Sequence, residues 1–284
     1  MSEMKILLIE NKLEREAFHA VFPSPWPITG SLGSIGVAVG LVCWFLGITL
    51  LNLFLGFLLV IITIFNWWRD VIREAFLLGY HNSYVKNLIR SGIIFFITSE
   101  VIFFFSFFWA YFHSSLAPSL ELGGIWPPTG IDALRAFGIP LFGTVILLTS
   151  RAILTHGHHC LFLEKKKLLS LWDLLICSLE GVGLRILLGI IFLLVQYSEY
   201  RCTTYYINSS VYGSVFFLTT GFHGLHVFLG VLFLSVIIYR IFNFHFSEND
   251  HVGFEGSVWY WHFVDVVWLF LFITVYWWGN IVCY

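Results

Sequence analysis

The residues of this chain that could carry chemistry are acids and histidines inside long apolar stretches. Glu100 is the one ionisable side chain in residues 93–109, IIFFITSEVIFFFSFFW, and His262 and Asp265 lie three residues apart in residues 257–276, SVWYWHFVDVVWLFLFITVY. As a helix, the second stretch is about 30 Å long, which is enough to cross a bilayer core. Ionisable groups at that depth need a polar partner or must stay neutral, and they commonly mark assembly contacts or proton-linked sites.

Glu100 has two interpretations that the sequence does not separate. Its neighbours Phe96, Ile97, Phe103 and Phe104 are apolar, so we expect a buried side chain that favours its neutral form unless a polar group compensates. The functional interpretation is a proton-linked site. The structural interpretation is a protonated acid that donates a hydrogen bond to another helix.

A histidine-rich metal centre is the competing chemistry. His156, His158 and His159 stand at the end of an apolar stretch, and His223 and His226 form an i, i+3 pair. Membrane di-iron hydroxylases and desaturases bind metal with histidine boxes at such helix ends, but the spacing here is HxHH, without an HxxxH or HxxHH box. We therefore favour interfacial and helix-joining histidines, and keep the di-iron enzyme as the alternative function.

Membrane-spanning helices must position these residues, because 58% of the 284 residues are hydrophobic and 11% are charged. The scattered basic residues form no stripe of the kind that binds nucleic acid, so we exclude that partner. Residues 1–22 are expected to form a short extramembrane arm, and residues 23–284 are expected to form one membrane domain. Apolar stretches predict an all-α polytopic protein with seven transmembrane helices, at residues 31–51, 53–68, 92–111, 138–154, 171–195, 211–241 and 257–276.

The first two predicted helices almost touch, so they should form an antiparallel hairpin whose tight turn is marked by Asn52 and nearby glycines. Lysines and arginines gather on the N-terminal side of the predicted membrane, and the opposite side holds only Arg135 and Arg201. By the positive-inside rule, the N-terminus faces the cytoplasm or the mitochondrial matrix.

The segment from Trp67 to Glu74, WWRDVIRE, ends the second predicted helix on this basic side. Its tryptophans and its two arginines, Arg69 and Arg73, suit both anchoring at the interface and binding of a phospholipid headgroup. Arg240, at the equivalent end of the sixth predicted helix, could join such a headgroup site.

Together these motifs resemble subunit III of cytochrome c oxidase, a heme-copper oxygen reductase. The similarity runs from Pro23 to the end of the chain, in the family's order and spacing. The matching strings are PSPWP from residue 23, WWRDVIRE from 67, SEV from 99, FFWAYFHSSLAPSLELGGIWPPTGI from 107, QYSEY from 196, VYGSVFFLTTGFHGLHV from 211 and GFEGSVWYWHFVDVVWLF from 253.

The resemblance implies two helices separated from five by a V-shaped cleft that holds phospholipid. It also implies a non-catalytic core subunit that stabilises the catalytic subunit and supports proton uptake while oxygen is reduced to water. The partners would be subunits I and II and accessory subunits, which hold the heme and copper; this chain would bind no metal and have no catalytic residue.

The resemblance also assigns roles to individual residues. Glu100 matches the family's membrane-embedded carboxylate. The expected lipid site comprises Trp67, Trp68, Arg73, Glu74, His81 and Arg240. The expected structural polar network comprises His223, His226, Glu255, His262 and Asp265.

Glu180 and Arg185 depart from the family's apolar fifth helix, and their five-residue spacing turns them about 140° apart, towards different neighbours. We expect each to pair with another helix or to extend towards the interface. The expected location is the mitochondrial inner membrane, with the N-terminus in the matrix and a bacterial plasma membrane as the alternative.

Overall fold

The computed structural model describes residues 21–120, 123–163, 171–246 and 251–279; for 153–163 and 171–178 it describes the helical backbone alone. The predicted arm, 1–22, therefore lies almost wholly outside the described residues. The described residues form an all-α structure. Its seven α-helices are α1 (Trp26–Phe45), α2 (Leu51–Phe76), α3 (Ser83–Leu116), α4 (Ile139–Leu163), α5 (Leu171–Cys202), α6 (Val211–Phe242) and α7 (Val252–Leu271).

These helices confirm the predicted polytopic membrane protein. Six of them are long and apolar enough, within the described residues, to cross a bilayer, and the described apolar part of α4 is Ile139–Ala152. The chain divides into two compact units, Met1–Ile89 and Arg90–Tyr284, and the division falls within α3. The V-shaped cleft stays a prediction.

In the first unit, α1 and α2 pack closely because glycines face each other. A Cβ on Gly40 would collide with the backbone of Leu53, and a Cβ on Gly56 would come within 2.6 Å of the Gly36 carbonyl carbon. The chain turns at residues 46–50, where Gly47, one of the glycines expected near the turn, supplies the left-handed conformation with φ of 70°. Asn52 follows this turn and lies in the first turn of α2.

Polar contacts join α1 and α2 at the end away from the turn. Thr63 donates to Thr29 across 3.1 Å, and the indole N–H of Trp26 donates to the Asp70 carboxylate across 2.8 Å. Asp70 belongs to the WWRDVIRE segment, which the structure places inside α2. The helix therefore extends about two turns beyond its predicted end at Trp68, and the contact of Asp70 with Trp26 lies in the first of these turns.

In the second unit, α4 packs against α5, α5 against α6, and α7 against both α6 and α4. Large aromatic side chains fill the centre, including Trp261 and Trp268 of α7 and Phe192 of α5. After Leu271, α7 continues as a π-helical segment, Phe272–Trp278, which hydropathy does not distinguish from α-helix. This bundle positions the ionisable groups that the sequence singles out.

Candidate functional site

Glu100 lies on α3 and points at α6. Its Oε2 atom is 2.8 Å from Nε2 of His226, and the side chains of the two residues are 22% and 9% exposed. The sequence therefore located an acid with a polar partner on another helix. The sequence predicts a buried side chain, and in this unit the carboxylate side chain is 22% exposed.

The second ring nitrogen of His226 restricts where the proton of this pair can be. Nδ1 lies 2.7 Å from the carbonyl oxygen of Phe222, one turn earlier on α6. A carbonyl can only accept, so Nδ1 must carry a hydrogen. One proton then lies between Nε2 and Oε2, and the pair is either imidazole with carboxylic acid or imidazolium with carboxylate. Both forms have zero net charge, which suits an apolar environment.

Aromatic rings enclose the imidazole of His226. Phe104 lies edge-on with ring centres 4.9 Å apart, and Phe103, Tyr260 and Phe263 are within 6.3 Å. Rings of this kind exclude water without offering a competing strong acceptor. The arrangement can hold a proton in a fixed hydrogen bond between α3 and α6.

The other residues of the expected polar network make separate contacts. His223 is fully buried, and its Nε2 lies 3.3 Å from the carbonyl of Val264 on α7. Glu255 binds Arg90 at 2.8 Å and lies 3.2 Å from His251. The structure therefore distributes these residues over several levels of the bundle.

The remaining two residues of the expected network both belong to α7. Asp265 is buried and faces Arg185 of α5, whereas His262 is half-buried. Arg185 and Glu180 do face different surroundings, as their spacing predicts, because Glu180 is exposed. The Arg185 pair links α5 to α7.

Sequence reasoning missed Arg90 as the partner of Glu255. It counted Arg90 only among the basic residues at the membrane surface. The signal that could have found the pair is topological. The starts of α3 and α7 lie on the same predicted side of the membrane; α3 carries Lys86 and Arg90 there, and α7 carries the acid Glu255.

Four of the six expected lipid-binding residues line one cavity within the first unit. This cavity, of about 560 Å³, is lined by Trp67, Arg73, Glu74 and His81 among others. Trp68 does not line it and is 53% exposed. Hydrophobic walls with one guanidinium and nearby carboxylates are chemically suited to a headgroup and its glycerol region.

Arg240, the sixth residue of that set, belongs to the second unit. Its guanidinium lies 4.3 Å from the ring centre of Phe246. Beside it, His245 follows the end of α6; burial and then the Arg240 charge lower the pKa of this histidine from its ordinary value.

The candidate metal ligands His156, His158 and His159 lie on α4, where their side chains are outside the described residues. Among the side chains that are described, histidines, cysteines and acids do not come together in groups of three or more that could hold a metal. The His226 ring uses both nitrogens in the contacts given above.

Comparisons with known proteins extend over almost the whole chain. The family model for cytochrome c oxidase subunit III matches residues 16–280. Cytochrome c oxidase subunit 3 of Pisaster ochraceus is 48% identical over 263 residues, which cover 93% of this chain and 98% of the relative. The proteins of that name from Oryctolagus cuniculus and Equus asinus are 48% and 49% identical over 267 residues, covering 94% of this chain and 99% of each relative. The chain belongs to the cytochrome c oxidase subunit III family.

Proposed function

We propose that this chain is a non-catalytic core subunit of a terminal respiratory oxidase. The observation that carries the proposal is the family match along residues 16–280, which includes every helix of the bundle. The match favours an oxidase subunit over the di-iron hydroxylase. In the assembled complex, subunits I and II would hold the heme and copper and reduce oxygen, and accessory subunits would complete the assembly.

The Glu100–His226 pair supports a role beside the redox chemistry. The pair holds one proton between two fixed atoms, 2.8 Å apart, and it has zero net charge with the proton on either atom. Such a pair stabilises the contact between α3 and α6 and can accept or release a proton when a neighbouring subunit changes charge. In this role Glu100 supports proton uptake and prolonged activity of the catalytic subunit.

The cavity beside Arg73 supports phospholipid binding. Its indole and guanidinium groups lie at the end of α2, where a headgroup meets the acyl region. A bound phospholipid would fill the cavity and place its phosphate near Arg73; Arg240, in the second unit, is a separate candidate for a headgroup contact. We assign the chain to the mitochondrial inner membrane, with its N-terminus in the matrix.

Co-migration tests the assignment to an oxidase. Membranes that contain this chain are extracted in mild detergent and separated on a native gel. The chain should migrate with a heme-bearing complex that oxidises cytochrome c. Migration apart from heme, with iron bound to the isolated chain, would instead support the hydroxylase.

Glutamine at position 100 tests the supporting role. Glu100→Gln keeps the shape, and its amide can donate to Nε2 of His226. Initial oxygen reduction should be within about twofold of wild type, since an acid–base contribution in the chemical step would be worth about a hundredfold or more. Labelling of this position by a hydrophobic carbodiimide should disappear. Glu180→Gln, which changes an exposed acid on α5, is the matched control.

Loss of the first turnover in a fully assembled Glu100→Gln complex would contradict the supporting role. An obligatory proton-transfer role for Glu100 would then replace it.

A further inference from the structure

Arg185 and Asp265 are opposite charges buried inside the bundle. Nη2 of Arg185, on α5, lies 3.4 Å from Oδ2 of Asp265, on α7, and the two side chains are 0% and 1% exposed. Hydrogen bonds between an arginine and a carboxylate are usually about 2.7–2.9 Å long. The pair is therefore close enough to attract but does not make the tight two-point contact that these side chains can form.

Trp261 and Ser150 enclose one side of the pair. The guanidinium carbon of Arg185 lies 4.8 Å from the ring centre of Trp261. The indole N–H of Trp261 donates to Ser150 across 3.3 Å, and the Ser150 hydroxyl donates to the Leu147 carbonyl across 2.7 Å. Trp261 therefore covers the flat face of the guanidinium, and its indole N–H, which donates to Ser150, also interacts with the Asp265 carboxylate.

The remaining polar atoms of the pair are unsatisfied among the described residues. Among the described residues, Nε and Nη1 of Arg185 and Oδ1 of Asp265 have no hydrogen-bond partner, although each atom is buried. A charged group left unsatisfied in an apolar interior is among the costliest arrangements in a protein. The second positive charge of Arg151, which acts electrostatically on both residues, does not replace these hydrogen bonds.

We propose that Arg185 and Asp265 form a hydrated ion pair, with at least one internal water bound to their unsatisfied atoms. The required ligand must accept from a guanidinium and donate to a carboxylate. An anion would satisfy Arg185 but be repelled by Asp265. A metal cation would bind Asp265 but be repelled by Arg185. Water does both, adds no charge to the site, and typically makes about three hydrogen bonds when buried.

This water site has a structural consequence for the helix that departs from the family pattern. Arg185 and Glu180 interrupt the apolar pattern of α5, and hydration allows the Arg185 charge to remain buried beside Asp265 of α7. The site is separate from the Glu100–His226 pair, which joins α3 to α6.

A cryo-electron microscopy map of the assembled oxidase, at a resolution that shows ordered water, tests the proposal directly. A peak should lie within hydrogen-bonding distance of Asp265 Oδ1 or of the Nε and Nη1 edge of Arg185. A two-point contact between the side chains without a peak, a peak with the coordination of a metal ion or chloride, or an unhydrated pair would each overturn it.

Paired substitutions test whether the two charges depend on each other. Arg185→Met and Asp265→Leu each strand one buried charge, so each should lower the amount of assembled oxidase by about tenfold or more. The double variant removes both charges and should recover to within about twofold of wild type. Glu180→Gln on the same helix should change nothing. Harmless single variants, or a double variant no better than the worse single one, would show that the residues are not an ion pair.

Discussion

Helices α1 and α2 of the first unit differ from α6 and α7 of the second in what their side chains contact. In the most apolar window of α1 and of α2, 11% of residues are buried, against 39% in α6 and 56% in the last span. The hairpin pairs through glycines and leaves most of its apolar side chains exposed. The bundle buries large rings and polar pairs.

The two regions should therefore tolerate different amino-acid substitutions. In the hairpin, stability depends on how closely two backbones approach, because lipid-facing apolar side chains gain little from packing in a membrane. In the bundle, it depends on partners for buried polar groups, because no bulk water reaches them. Substitutions can test each half of this comparison.

The largest effect is expected from Gly40→Leu in the hairpin. A side chain there meets the backbone of Leu53, which cannot move aside as a flexible side chain could. Overpacking of this kind costs about 1–3 kcal/mol and here should separate α1 from α2. The amount of the chain retained in the oxidase on native gels measures it. Gly92→Ala is the control, since a Cβ at Gly92 meets nothing within 4 Å; equal losses would remove the role assigned to glycine contact.

Glu100→Leu should have the next largest effect. It tests whether the bundle depends on partners for its buried polar groups. The variant leaves Nε2 of His226 without its partner, at a cost of about 1–3 kcal/mol. We expect reduced assembly or activity that declines during repeated turnover, followed in an oxygen electrode. Glu100→Gln serves as the paired control. If leucine and glutamine behaved alike, the hydrogen bond would not be what stabilises this contact.

A smaller effect is expected from Arg73→Ala combined with Arg240→Ala. Removal of both guanidiniums should reduce the phospholipid that remains with the purified complex, because interfacial arginines contribute about 1 kcal/mol each to anionic headgroups. Mass spectrometry of extracted lipid provides the measurement. Arg69→Ala is the matched control on α2 and should leave the phospholipid content unchanged, because Arg69 does not line the cavity. Lipid content equal to wild type in the double variant would count against the site.

No effect on metal content is expected from alanine at His156, His158 or His159. If partner subunits hold the redox centres, these changes leave heme and copper at wild-type amounts even where stability falls. Elemental analysis and absorption spectra of the assembled oxidase check this outcome. A stoichiometric loss of one metal centre from an assembled complex would reverse the interpretation of the histidine cluster.

The sequence predicted the seven helices and their order well, and their ends less well. Apolar runs of sufficient length specify a membrane helix directly, since a bilayer leaves the backbone few other ways to satisfy its hydrogen bonds. Helix ends depend on local contacts outside the apolar run. The hydrogen bond from Trp26 to Asp70 lies in the part of α2 beyond its predicted end. The hairpin turn contains Gly47 and precedes Asn52.

By itself, the sequence determined that Glu100, Arg185 and Asp265 carry charges into a membrane and must find partners or stay neutral. Only the tertiary structure decided which partners they find. His226 is 126 residues from Glu100, and Asp265 is 80 residues from Arg185. Hydropathy and spacing describe one helix at a time, whereas these contacts depend on how far each helix is rotated and shifted against its neighbour. That rotation is set by the packing of large side chains such as Trp261 between helices.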